Sequence, residues 1–150
     1  MRVSATQANA FVWPLRVYYE DTDALGMVYY ANYLKYFERA RTEWLRALGF
    51  ELDTLATERD LAFVVRHAEI DYRGSARFNQ LLDVRSSVVE LGRASVTFAQ
   101  VLTSDAGQTL SEGRVQVACI QVSSGRPAKI PDDLQRSLAT FQVGSVATSD

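Results

Sequence analysis

The sequence predicts an α+β fold, an antiparallel five-stranded sheet with one long helix packed against it. Three features carry this: the order strand, long helix, four long strands; tight turn signals between consecutive strands; and a helix that is apolar on one side only. Leu15 to Asp21 (LRVYYED) is rich in β-branched and aromatic residues and reads as the first strand. The turn-prone Asp21–Gly26 stretch follows. The helix then begins between Val28 and Asn32 and stops at Gly49, a residue free to take the left-handed conformation that ends helices. At ~100° per residue, Leu34, Phe37, Trp44, Leu45 and Leu48 share one arc, with Lys35, Arg39, Glu43 and Arg46 opposite. After a short helical stretch from Leu52 to Glu58, four strands are expected at Leu61–Tyr72, Leu81–Leu91, Ser95–Ser104 and Thr109–Val122. Arg73-Gly74-Ser75, Gly92, Asp105-Ala106-Gly107 and Ser123-Ser124-Gly125 supply the turns. Alternation is clearest at Val84, Ser86 and Val88 against Asp83, Arg85 and Ser87. A last short helix is expected from Pro131 to Phe141, with the proline at or near its first position.

The 150 residues fit one domain, expected to span 1–150 with an ordered core from about 14 to 142 and loose, small-residue ends. A hydrophobic content of 47% supports a genuine core and argues against disorder. Sixteen basic residues against eighteen acidic ones leave a net charge of −2, so no strong field draws the chain to nucleic acid or an anionic membrane. Cys119 is the only cysteine and His67 the only histidine. An internal disulfide, a cysteine-built zinc site and a multi-imidazole metal site are thereby excluded. Leu61–Val65, the longest apolar run near the middle, is far short of the ~20 residues of a membrane span. Asn9 and Pro14 interrupt the N-terminal apolar patch, so no secretory pattern is read there and a cytoplasmic location is expected.

Eleven of the sixteen aromatic residues lie between Phe11 and Phe50. Within that region DTDALGMVYYANY (Asp21–Tyr33) sets two carboxylates and a glycine just before a helix start. Two readings stand at this point. In one, Asp21 and Asp23 are turn and capping residues, favoured there by the helix dipole. In the other, the unpaired amides of the helix start hold an oxyanion while a carboxylate attacks a carbonyl or orients water. Gly26 would let backbone approach a ligand, and the aromatics would wall the site. Such a set lacks a histidine acid, so it suits a leaving group that departs unprotonated. A thiol with a pKa near ~8.5 meets that need where an amide or ester does not.

The segment RVYYEDTDALGMVYYANYLKYFERARTEWLRALGF (Arg16–Phe50) closely resembles the 4-hydroxybenzoyl-CoA thioesterase family of the hotdog fold. It is most similar there to bacterial acyl-CoA thioesterases associated with the Tol–Pal system. Weaker agreement runs through FVVRHAEIDYRGSAR (Phe63–Arg77) and GRPAKIP (Gly125–Pro131). The resemblance implies a sheet wrapped around the long helix and hydrolysis of a short-chain aliphatic or aromatic acyl-CoA to free acid and coenzyme A, with coenzyme A as part of the substrate and no separate cofactor or metal. It implies Asp23 as the catalytic carboxylate, as nucleophile or general base, the Tyr30 amide as the oxyanion contact, and Gly26 as the loop-shaping glycine. Tyr19 matches a tyrosine beside the site. Arg93 with Ser95, and Arg126 with Lys129, match nucleotide contacts, although scattered surface cations give the same pattern. Leu25 departs from a common glycine. Tyr30 stands where many Tol–Pal-type members carry histidine, and a phenol of pKa near ~10 cannot shuttle protons at neutral pH. The family further implies homodimers or homotetramers with the site at a subunit interface, and acyl-carrier protein as a possible carrier of the substrate.

The single histidine, away from the site loop, argues against a dehydratase, and the alternative of another class is a non-catalytic acyl-CoA or acyl-carrier-protein binding module linked to the cell envelope. Among the remaining residues, Arg41 falls mid-arc on the apolar face, and Glu38 is its expected partner. His67 is read as a packed or surface strand residue, and Cys119 as a small core residue.

Overall fold

The computed structural model describes residues 10–143. Its elements run β1 (Phe11–Arg16), α1 (Asn32–Ala47), α2 (Leu52–Arg59), β2 (Leu61–Tyr72), β3 (Leu81–Leu91), β4 (Ser95–Ser104), β5 (Thr109–Gln121) and α3 (Asp132–Ala139). The strands form one antiparallel sheet in the order β1-β3-β4-β5-β2. The α+β expectation therefore holds, with the long helix lying on the inner face of the sheet.

The first strand is displaced from its expected place. It occupies Phe11–Arg16 and pairs with β3, whereas Tyr19–Asp21 forms a 3-10 turn. The aromatic run that looked like a strand is held instead by a local bond: the Tyr18 amide donates to Asp21 Oδ2 at 2.8 Å. Short side-chain acceptors of this kind compete with sheet ladders for backbone donors. The sheet thus takes in residues 11–13, ahead of the expected core boundary. The expected loose ends at 1–9 and 144–150 lie outside the described residues.

The later elements fall close to their expected spans. Gly49 takes φ +97° just past α1, and Pro131 precedes α3. On β3, Leu82, Val84, Ser86 and Val88 face inward, as the alternation requires.

The buried stripe of α1 is rotated from the arc read in the sequence. Tyr33, Tyr36, Phe37, Ala40, Trp44 and Leu45 are buried, whereas Leu34 is 39% exposed. Tyrosine counts as polar in a periodicity reading, yet its ring covers apolar area well once its hydroxyl finds a partner. Close approach of helix and sheet also needs Gly113 on β5. A Cβ there would stand 2.9 Å from Phe37 Cε2 and 2.8 Å from the Glu69 carbonyl.

Two apolar clusters lie along the helix, one around Trp44, Phe98 and Leu134, the other around Phe37, Tyr36 and Val84. Near Phe37, wholly buried Gln100 introduces a polar contact between helix and sheet. Its Nε2 donates to the Phe37 carbonyl and to Ser86 Oγ, both at 3.0 Å, and its Oε1 accepts from Arg41 Nη1 at 2.9 Å. Arg41 therefore pairs with Gln100 and not with Glu38, which the sequence had suggested; Glu38 is exposed and makes no ion pair with it among the described residues.

The two edges of the sheet differ. β1 is six residues long and carries Pro14, which has no amide to offer. β2 is twelve residues long, and from Val65 onward, itself 53% exposed, it is largely open to solvent. Replacing Gln100→Leu should strand the Arg41 guanidinium without its acceptor. The expected loss is about 2–3 kcal/mol of stability, read by urea unfolding, with helix content by circular dichroism nearly unchanged before the transition.

Candidate active site

The Asp21–Tyr33 segment folds as a short hairpin running into α1. Thr22 and Val28 form an antiparallel bridge, the Asp23 amide donates to the Met27 carbonyl at 2.8 Å, and the Gly26 amide donates back to the Asp23 carbonyl at 3.0 Å. Gly26 closes this turn at φ +78°, a conformation in which a side chain would be strained. Its part is thus to shape the backbone. Leu25, in place of the family glycine, projects into solvent at 72% exposure.

The two aspartates do different things. Asp21 is buried; its carboxylate holds the Tyr18 amide, and its carbonyl accepts from the Tyr29 amide and from Asn32 Nδ2. It is a brace. Asp23 is exposed, and its Oδ1 accepts from the amides of Leu25 at 2.9 Å and Met27 at 3.3 Å. Its Oδ2 has no hydrogen-bond partner among the described residues. Asp23 does not cap the helix, since Ala31 occupies the N-cap position and has no side-chain cap. The simple capping reading of Asp23 is therefore corrected.

At the helix start, the amides of Tyr30 and Ala31 have no acceptor among the described residues. Unpaired donors at this end carry the positive pole of the helix. The Tyr30 carbonyl is tied down, accepting from the Tyr33 amide at 3.2 Å and from the Tyr72 hydroxyl at 3.3 Å. The Tyr30 ring packs against Tyr29 and Tyr72, with centroids 5.0 and 5.9 Å away. Burial, then the neighbouring Tyr30 and Tyr33 phenols, push the Tyr72 phenol up from its usual pKa.

The loop's position is relayed from the helix. The Tyr33 hydroxyl accepts from the Ala76 amide at 3.0 Å, and the Ala76 carbonyl accepts from the Val28 amide at 2.8 Å. Tyr36 lies buried behind this relay. Burial first, and then the Asp21 carboxylate, push its phenol far up, although the hydroxyl makes no well-formed hydrogen bond.

Tyr19 lies at the same end, 79% exposed, with its ring edge-on to Phe78 at 5.7 Å. Tyr72 and Phe78 were missed in the sequence because each sits about 40 or more residues beyond the site motif. Only the Phe63–Arg77 stretch of resemblance pointed toward them.

Arg93, Ser95, Arg126 and Lys129 gather at a second place. The Ile130 amide donates to the Arg93 carbonyl, the Gln121 amide to the Arg126 carbonyl, and Lys129 pairs with Asp132 at 2.9 Å. That place is the other end of the sheet. Leu61 and Gln121 are partners there, whereas Tyr72 and Ser111 are partners near the Asp23 hairpin. One chain does not bring the four residues to Asp23.

A partly open cleft of about 90 Å³ lies along the flank of α1, between Arg41, Leu45, Phe63, Val65, Phe98 and Leu138. It does not reach Asp23. His67 is exposed and lies 3.3 Å from Glu69, away from the hairpin. Among the described residues, no cluster of His, Cys, Asp and Glu has the makings of a metal site, and no helix is long and apolar enough to cross a membrane.

Residues 17–138 match the Thioesterase-like superfamily. The chain is 46% identical over 127 residues to the acyl-CoA thioesterase YbgC of Haemophilus influenzae, covering 85% of this chain and 93% of that protein. It is 39% identical to the acyl-CoA thioester hydrolase YbgC of Escherichia coli O157:H7, covering 83% and 92%. Among solved structures, a probable thioesterase from Bartonella henselae superposes with a TM-score of 0.77 at 35% identity, covering 81% of this chain and 99% of that one. A 1,4-dihydroxy-2-naphthoyl-CoA thioesterase from Synechocystis shares the fold with a TM-score of 0.82 at 23% identity, covering 87% and 96%. With four of its five strands, its long helix and its site hairpin inside the matched span, the chain belongs to the thioesterase-like superfamily of hotdog-fold proteins.

Proposed function

We propose that this protein hydrolyses acyl-CoA thioesters, with water and acyl-CoA giving the free acid and coenzyme A. The observation that carries the reading is one hairpin bearing a carboxylate, Asp23, with an oxygen that is free among the described residues, and leading into a helix start with two amides likewise unpaired there. Asp23 activates the attack on the thioester carbon, either directly or by taking the proton of a water. The Tyr30 amide receives the charge that develops on the carbonyl oxygen. Coenzyme A departs as a thiolate, so the absence of a nearby imidazole is no obstacle. Coenzyme A enters as part of the substrate, and the chemistry calls for no further cofactor. The thioesterase names of the relatives at 39–46% identity support the reaction class.

The site is completed by a second copy of the chain in this reading. β2 is a long open edge, and such an edge is a template for pairing. Antiparallel pairing of β2 with its own copy would bring the partner's Leu61 end beside this chain's Tyr72 end. The cationic end with Arg93, Ser95, Arg126 and Lys129 would then approach the Asp23 hairpin from the other subunit, where it would meet the coenzyme A phosphates. Two such pairs joined back to back would make the homotetramer. The exposed tyrosines around Asp23 suit a short aliphatic or an aromatic acyl group. The Arg16–Phe50 resemblance supports a Tol–Pal-type assignment, cytoplasmic action and acyl-carrier protein as a second carrier. A non-catalytic acyl-binding module is the competing reading, and the retained Asp23 speaks against it.

Three measurements test these statements. Asp23→Asn should keep the melting temperature within a few degrees and lower kcat by ~10²-fold or more with short-chain acyl-CoA, followed by thiol release. An unchanged rate would leave the binding-module reading standing. Val65→Glu should shift the assembly to monomers in light scattering, with a folded circular dichroism spectrum and activity reduced at least ~10-fold. Arg126→Glu should raise KM for acyl-CoA several-fold while kcat changes little, since an exposed charge pair contributes ~1 kcal/mol or less.

A further inference from the structure

The last residue of β2 touches the helix start through a contact that the hydrolysis step leaves unused. Tyr72 pairs with Ser111 of β5, and the strand ends just beyond it, where the amides of Arg73 and Gly74 both donate to the Leu110 carbonyl. Its ring is held between two tyrosines, edge-on to Tyr30 at 5.9 Å and tilted against Tyr33 at 5.4 Å. So placed, its hydroxyl donates to the Tyr30 carbonyl at 3.3 Å. The contact is made within one chain and by a side chain. An added strand would take the backbone groups of the edge instead.

The peptide bond gives this contact its chemical meaning. The Tyr30 carbonyl is conjugated with the nitrogen of Ala31, and not with the amide of its own residue. A hydrogen bond to that oxygen draws electron density from the Ala31 nitrogen and makes its N–H a stronger donor. The Tyr30 oxygen receives two such bonds, from the Tyr72 hydroxyl and, at 3.2 Å, from the Tyr33 amide. The Ala31 amide itself has no acceptor among the described residues. Hydrogen bonds in series strengthen one another by ~10–30% each. At 3.3 Å the Tyr72 bond is long for a hydroxyl donor and has room to shorten. Charge gathering on a thioester oxygen would pull on the Ala31 N–H, make the Tyr30 oxygen more negative and tighten the Tyr72 bond. A contact that is stronger in the transition state than in the ground state acts on kcat and leaves KM nearly alone.

We propose that Tyr72 is a positioning residue of the hydrolytic site, holding and polarising the Tyr30–Ala31 peptide so that the Ala31 amide serves as a second, strengthened oxyanion donor beside that of Tyr30. The proposal rests on the thioesterase reading and adds to it a residue 42 positions beyond the helix start. One oxyanion donor is worth ~10²–10³ in rate, and a ~10–30% gain in its strength makes the Tyr72 hydroxyl worth ~2- to 8-fold.

The test follows thiol release from short-chain acyl-CoA in single turnover, so that product release does not mask the chemical step. Tyr72→Phe keeps the ring between Tyr30 and Tyr33 and removes only the hydroxyl. Its rate should fall ~2- to 8-fold, with half-saturation within ~2-fold of the parent and with unchanged melting temperature and light scattering. Tyr72→3-fluorotyrosine, measured well below the ionisation of either phenol, should react faster than the parent, because the more acidic hydroxyl is the stronger donor. A hydroxyl that only supports the fold would not respond in that direction. Replacing the Ala31 amide by an ester should lower the rate at least ~10-fold. The proposal is overturned if Tyr72→Phe reacts at the parental rate, if the fluorinated variant is no faster than the parent, or if the ester keeps full activity. Should Tyr72→Phe misfold or change its assembly, the fluorotyrosine and ester variants decide. Failure of the thioesterase reading looks different: the parent protein itself releases no thiol from any acyl-CoA.

Discussion

The Gln100 side chain fixes where the long helix sits on the sheet. Apolar clusters on their own tolerate small slides of one element over another, because packing contacts can be exchanged for similar ones. A buried amide with two donors and an acceptor cannot be exchanged in that way, since every misplaced bond leaves a polar group stranded. Gln100 ties β4 to the Phe37 carbonyl of α1, to Ser86 of β3 and to Arg41. The height of the helix then passes outward through Tyr33, Ala76 and Val28 to the Asp23 hairpin. Gly113 adds the other half of the constraint by letting Phe37 come down onto β5.

On this footing the chemistry of the site is mostly backbone chemistry. In the proposed reaction the donors facing the substrate would be amides of the helix start, held in place before any ligand arrives, so little reorganisation would be needed as charge develops. The side chains around them are tyrosines, which supply wall area at small entropic cost. Asp23 contributes the exposed carboxylate of the hairpin, and its position is set by a turn that Gly26 closes at φ +78°. An exposed carboxylate is strongly screened by water, so the force of such a site depends on what covers it.

Much of this was legible in the sequence. β2, β3 and β4 have the expected ends because alternation and turn residues agree there, and Gly49 marks the end of α1 as its conformation requires. The Asp23–Tyr30 motif was legible too, both as a set of chemical parts and as a resemblance. What was not legible was mostly tertiary. LRVYYED has strand composition, yet Asp21 folds it into a turn. Tyr33 and Tyr36 lie inward because Ala76 and the sheet await them, and Leu34 is turned outward. The Arg41–Gln100 bond joins residues 59 apart, beyond any local pattern. The four candidate nucleotide contacts stand at the opposite end of the sheet from Asp23, a separation that only strand register reveals.

The unequal borders of the sheet bear on how far association can proceed. One border is short and interrupted by Pro14, and the other is long and free of proline. When two copies meet through the long border, each consumes the other's only good template for strand addition. The joined sheet is then bounded at both extremities by proline-bearing margins. In the proposed pairing, strand addition would halt at two chains, so the asymmetry that would invite a neighbour would also keep the sheet from propagating into a fibre.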